Sequence, residues 1–162
     1  MPGYQQISND LKELLELLLA HRVEFVLVGA HAVAVHGRPR FAELEILVSR
    51  RSQNLARLAE AIHSFGVELQ PDAQTILARE PRAKILIGAD PFQVEILNHA
   101  DGLEFESVLE RSEIHEFRGM QVPVLSLVDL VRNKRASKRP KDLFDLAMLR
   151  EIHGVLPGDE GE

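Results

Sequence analysis

Between Val26 and Val48 the chain changes conformation three times within a couple of dozen residues. The run Val26, Leu27, Val28 is wholly apolar and reads as a buried strand, which breaks at Gly29. Ala30 to Val35 is a short apolar helix, and a second strand, Glu43 to Val48, carries Glu43 and Glu45 as alternate residues. Successive strand side chains point to opposite faces, so the two carboxylates share one face while Leu44, Ile46 and Val48 share the other. A two-carboxylate platform therefore stands beside a glycine turn. Glu95, in the apolar run Phe92 to Leu97, supplies a third carboxylate if its strand lies next to the second, and three such groups could hold a divalent metal.

The rest of the pattern alternates helices and strands. Leu11, Leu14, Leu15 and Leu18 repeat at helical spacing, which predicts a helix from Ser8 to Ala20 with Ser8 or Asn9 as its cap. A strand Val23 to Val28 follows, and beyond Val48 a helix Ser52 to Ser64 ends near Gly66. Ala83 to Ile87 and Gln93 to Leu97 read as a hairpin turning at Gly88 to Pro91. A short helix Leu103 to Arg111 and two strands, Ile114 to Phe117 and Gln121 to Leu125, hinged at Arg118 and Gly119, come next. Ser126, with Asp129 three residues on, opens a helix to about Ala136. Pro140 interrupts the pattern before a last helix, Lys141 to Ile152, with Leu143, Leu146 and Leu149 on its apolar side. At 162 residues we expect one domain and one core over residues 1–156, then a disordered acidic tail over 157–162.

Composition removes several function classes. The absence of cysteine excludes disulfides and thiolate metal sites. No segment has the length and apolarity of a membrane span, and the start is polar, so we read the protein as cytoplasmic and away from membranes. A net charge of −6 argues against a generally basic coat for nucleic acid. Against that background the six basic residues Arg132, Lys134, Arg135, Lys138, Arg139 and Lys141 suggest an anion-binding patch, the alternative being a solvated helix face. Asp142 and Asp145 follow at once and are placed to balance some of them. His31 and His36, five apart, do not share the helical face that a zinc site needs. Nucleophile-elbow, P-loop and dinucleotide fingerprints are all missing from the sequence.

The chemistry of the acidic residues has two readings. Alternate strand residues lie about 6.6 Å apart, a gap that flexible carboxylates can close around one ion. They can equally bracket a pair spaced about 3.5–4 Å, as in two-metal phosphoryl transfer. The alternative is a solvated edge strand. Glu95 tips the balance, since it is the one polar interruption of its apolar run and such a charge needs a partner or an ion. Loss of a Cβ at Gly29 would let amides at the start of the following helix face a phosphate.

These residues, in this order, resemble the nucleotidyltransferases of the DNA polymerase β superfamily, and within it the small stand-alone proteins related to abortive-infection toxins. Leu27 to Arg40 looks like that family's opening helix and loop. Glu43 and Glu45 fall where it has paired aspartates, and Gln93 to Leu97 falls where it has the third. Asp101, Gly102 and Phe105, then Val122 to Leu127, then Lys134, Arg139, Lys141, Asp142 and Asp145 look like its C-terminal half. The resemblance implies an α/β (α+β) fold with a small mixed, twisted sheet flanked by helices. It also implies transfer of a nucleoside monophosphate from an NTP to a hydroxyl on RNA, protein or a small molecule. Glu43, Glu45 and Glu95 would then be the catalytic ligands of Mg²⁺ or Mn²⁺, and Gly29, Ala30, Lys134 and Arg139 would hold the nucleotide.

The sequence also differs from the family pattern. Ala30 stands where Gly or Ser is usual, the loop between Arg40 and Glu43 is about one residue short, and all three aspartates are glutamates. Each added methylene extends a carboxylate by about 1.5 Å, whereas Mg²⁺ asks for oxygens at about 2.0 to 2.1 Å in octahedral array. These differences raise a second expectation, a catalytically inactive module of the same fold that binds nucleotide, RNA or a protein partner, as in a toxin–antitoxin pair. Neither reading fixes the oligomeric state, and a homodimer is compatible with both.

Overall fold

The computed structural model describes residues 9–38, 43–88 and 93–159. Among them it has helices α1 (Asn9–Ala20), α2 (Gly29–His36), α3 (Ser52–Ser64), α4 (Ala73–Arg79), α5 (Phe105–Arg111), α6 (Leu127–Ser137) and α7 (Pro140–His153). The strands are β1 (Phe25–Val28), β2 (Leu44–Val48), β3 (Lys84–Ile87), β4 (Val94–Leu97), β5 (Glu113–Phe117) and β6 (Met120–Val124). They form one mixed sheet in the order β3-β4-β2-β1-β6-β5, and the protein is α/β in class, with helices against that sheet. β1 runs antiparallel to β2 and parallel to β6, while β4 runs parallel to β2 and antiparallel to β3.

Register explains how carboxylates come together on one face of this sheet. Ile85, Ile96, Ile46 and Leu27 align across β3, β4, β2 and β1 in a single apolar row. The adjoining row, one residue along every strand, is Leu86, Glu95, Glu45 and Val28, and by the pleat it must emerge on the opposite face. Ile46, Ile96 and Leu27 are buried, whereas Lys84 and Leu86 on the acidic face are exposed. A single connected apolar core includes Leu14, Leu15 and Leu18 of α1, Leu55, Leu58 and Ile62 of α3, and β1, β2, β4 and β6. On the helical side α2 packs on β1 and β2 and touches α6, which in turn packs on α7.

Several boundaries follow the local chemistry. α3 occupies the predicted span, and its Asn54 is buried, accepting from Glu24 N at 2.6 Å and donating to Ser49 O at 2.9 Å. The β5–β6 hairpin turns at Arg118 and Gly119, both with positive φ as a two-residue primed turn requires. Asp129 N donates to Ser126 Oγ at 3.2 Å and starts α6. The loop Gly88 to Pro91 falls largely outside the described residues, but β3 and β4 pair as the expected hairpin.

Three expectations need correction. α4 is absent from the sequence reading, because its seven residues bury only Ala73 and Leu77 and sit in a polar stretch that shows no repeating apolar face. On α7, Leu146 and Leu149 are buried as predicted, but Leu143 is 56% exposed and Asp142 and Asp145 take its place on the buried side. The cause is Lys134 of α6, whose buried ammonium draws both aspartates inward. Finally, residues 157–159 are tied down where a disordered tail is expected. Asp159 is ion-paired with Arg135 and Arg150, Arg135 donates to Pro157 O at 2.7 Å, and Leu156 is fully buried. Residues 160–162 lie outside the described part.

Candidate functional site

Glu45 and Glu95 are direct partners in the parallel β2–β4 ladder, so their side chains leave the sheet together on the open face. Glu43, two residues before Glu45, is exposed at the same place. All three line one cleft of about 840 Å³, along with Gly29 and Ala30 at the start of α2 and Lys134 and Arg139 from α6 and its end. The structure thus brings every residue expected at the site, from four separated segments, to a single concavity.

Gly29 has a further role beyond the one its sequence context suggested. Its φ is +64°, a left-handed conformation at the first residue of α2, where the chain must leave β1 and begin a helix at once. A Cβ there would coincide with Oε2 of Glu45. The missing side chain therefore makes the space in which the Glu45 carboxylate rests, against the positive end of α2. Val28, the residue before the helix, offers no side-chain hydrogen bond to the first turn.

Charge is distributed around the cleft in an ordered way. Carboxylates of Glu43, Glu45 and Glu95 form the floor, Arg82 and Lys84 stand on the β3 side, and Lys134, Arg139 and Lys141 stand on the α6–α7 side. Glu95, whose side chain is only 18% exposed, has Lys84 Nζ at 3.7 Å from Oε1. The partner that its burial demanded is thus a lysine from the neighbouring strand. Among the described residues no group of three or more His, Asp or Glu side chains is gathered closely enough to hold a metal ion.

Lys134 is not a free phosphate-binding cation. Its ammonium is buried and lies 3.0 Å from both Asp142 Oδ1 and Asp145 Oδ2. Burial alone would push the Asp142 carboxyl up, but hydrogen bonds from Ser137, Arg139 and Lys134 outweigh it and hold the group well below the usual carboxylate range. Arg139 shares Asp142 at 3.0 Å while its side chain stays 59% exposed. The basic run as a whole is less available than its sequence implies: Arg132 pairs with Asp129 and Arg135 with Asp159, which leaves exposed Lys141 as its main cleft-facing charge.

One corner of the cleft was not foreseen. His99 Nε2 donates to Asp101 Oδ1 at 3.1 Å, Arg82 approaches the same oxygen at 2.9 Å, and Asn133 donates to Asp101 O at 2.9 Å. The His99 hydrogen bond, with the Arg82 charge behind it, holds the Asp101 carboxyl below its ordinary range. His99 lies two residues beyond the end of β4, where strand alternation no longer sets the direction of a side chain, so its place in the cleft comes from the fold. His36 donates from Nε2 to Leu125 O at 2.7 Å and meets the His115 ring edge-on at 6.1 Å.

Compared with models of protein families and with curated proteins, the sequence matches none. No helix among the described residues is long and apolar enough to cross a membrane.

Proposed function

We propose that the protein is a metal-dependent nucleotidyltransferase that moves a nucleoside monophosphate from an NTP to a hydroxyl acceptor on RNA, protein or a small molecule. The observation that carries this reading is the in-register pair Glu45–Glu95 on the floor of a cleft whose two walls are cationic. A floor of like charges is destabilising by itself, because carboxylates directly opposite on neighbouring strands repel. Walls of opposite sign then select a ligand that carries both many negative charges and a cation, which describes a metal–triphosphate complex. The donor set, carboxylate oxygens only, suits Mg²⁺ or Mn²⁺. Glu45, Glu95 and the exposed Glu43 would hold the ion, which when bound would neutralise charge on the phosphates and polarise the α-phosphorus.

The chain's own groups divide the remaining work. Lys141 and Arg139 hold the β- and γ-phosphates from the α6–α7 side, and the amides of Gly29 and Ala30 face them from the start of α2. Lys134 acts through its ion pairs, fixing the α6–α7 junction and so the position of Arg139. The acceptor oxygen forms a bond to the α-phosphorus as the bond to pyrophosphate breaks, and Glu95 takes the hydroxyl proton.

The test is incubation with Mn²⁺ or Mg²⁺ and each labelled NTP, with cell RNA and protein as acceptors. Label should transfer, and Glu45→Gln should reduce transfer roughly 100-fold or more without lowering the melting temperature. Absence of transfer with all four nucleotides overturns the reading. A second reading, a nucleotide-binding module without turnover, is favoured by one specific observation: no preassembled group of three ligands is present among the described residues. It predicts that NTPs raise the melting temperature equally with and without metal.

A further inference from the structure

The exposed lysine on the edge strand is the only cleft cation paired with a floor carboxylate among the described residues: Lys84 Nζ stands 3.7 Å from Glu95 Oε1. Its place follows from the ladder. Lys84 pairs with Leu97, so it emerges on the face of Glu95 one step diagonally away, while Glu95 itself sits between Leu86 and Glu45. The lysine side chain is 55% exposed and the glutamate 18%, so the mobile partner is the cation. Arg82, two residues earlier, is engaged with Asp101, and Lys134 with Asp142 and Asp145.

We infer that Lys84 is the resident counter-ion of the carboxylate floor and a positioning residue for the triphosphate, exchanging one role for the other when a divalent cation binds. The inference rests on the nucleotidyltransferase reading. Without metal, the ammonium partly neutralises Glu95 and therefore competes with a divalent ion for that carboxylate. With metal present, the ion takes over the neutralisation and repels the ammonium, which swings on its flexible stem toward the phosphates in the same cleft. Metal and triphosphate are then coupled through one side chain, and by linkage each must tighten the other to the same degree.

The coupling is tested by removing the charge. Lys84→Gln and Lys84→Arg are exposed substitutions on an edge strand, and a cooperative thermal transition without metal verifies that both fold. Mn²⁺ binding, followed by the loss of its free-ion paramagnetic resonance signal, is measured first without nucleotide. Lys84→Gln should bind Mn²⁺ about two- to fivefold more tightly than the unmodified protein, the range for a half-exposed ion pair, and Lys84→Arg should match the unmodified protein. Inorganic triphosphate at saturating Mn²⁺ should then bind Lys84→Gln more weakly than the unmodified protein. If the unmodified protein binds Mn²⁺ and Lys84→Gln binds it equally or less well, the exchange role is overturned while the metal site stands. If the unmodified protein binds no Mn²⁺, the metal site and the exchange fall together.

Discussion

Gly29 joins backbone handedness to the placement of a functional carboxylate. Replacing it with alanine asks an L-residue to adopt φ near +64° and pushes a methyl group into the space that Glu45 Oε2 occupies. The handedness alone should cost roughly 1–2 kcal/mol, a fall in melting temperature of roughly 2–8 °C for a chain of this length. The clash adds to it. Because that part acts through Glu45, the pair Gly29→Ala with Glu45→Ala should lose clearly less stability than the two single changes summed. Full additivity in a denaturant-melting cycle would show that the glycine and the carboxylate do not share the space. Lys134 offers the contrasting lesson, since its sequence context resembles a nucleotide-binding lysine but its geometry is that of a buried structural cation between two aspartates.

Among the elements, α4 is tied to the sheet by one distant side chain. Asn98, at the end of β4, accepts from Ala83 N at 2.8 Å and donates to Leu77 O at 2.9 Å and Glu80 O at 2.8 Å, stitching the end of α4 to the start of β3. Asn98→Ala leaves three backbone groups without this partner in a buried place, with an expected loss of about 2–4 kcal/mol. Hydrogen exchange in α4 should accelerate before exchange in α3; uniform acceleration over the molecule would contradict this assignment.

The same element marks the boundary of what the sequence reveals. Long helices with a repeating apolar face, such as α1 and α3, and strands with strict alternation were readable because periodicity is a local signal. α4 was not, since what holds it lies elsewhere in the chain: it packs on α3 and is bonded by Asn98, more than twenty residues from Leu77. Leu143 of α7 was misplaced for a related reason. Leucine spacing favoured Leu143, but the buried ammonium of Lys134 selects Asp142 and Asp145, and no periodicity analysis of one helix contains the charge of another. The carboxylate floor could be foreseen through period two on each strand. The adjacency of β2 and β4 that makes it a floor required the fold, as did the corner built from Arg82, His99 and Asp101.

For the molecule as a whole, the acid response falls in two windows, a histidine one set by His36 and a carboxylate one in which Asp142 is the most strongly shifted group. Burial lowers the His36 pKa, with the hydrogen bond to Leu125 and the charge of Glu113 opposing it in part. The fold therefore prefers neutral His36, so its contribution is complete above the ordinary histidine value of about 6.5 and is lost as pH falls below it. Asp142 acts in the same direction at lower pH: its folded value is depressed, so its contribution is present above the ordinary aspartate value of about 4 and disappears as pH falls through and below that point. Denaturant midpoints followed from pH 8 to pH 3 should decline in two stages. His36→Gln should flatten the upper stage and leave the lower one unchanged. A single stage, insensitive to His36→Gln, would refute this division.

The side-by-side placement of Glu45 and Glu95 has a final consequence for engineering. Two neutral amides at those rungs would relieve the repulsion in the centre of the sheet and yield a hardier, more heat-tolerant protein. A selection for ruggedness alone would be expected to erase both acids, so any variant library screened only by survival on heating should drift away from whatever chemistry the cleft performs.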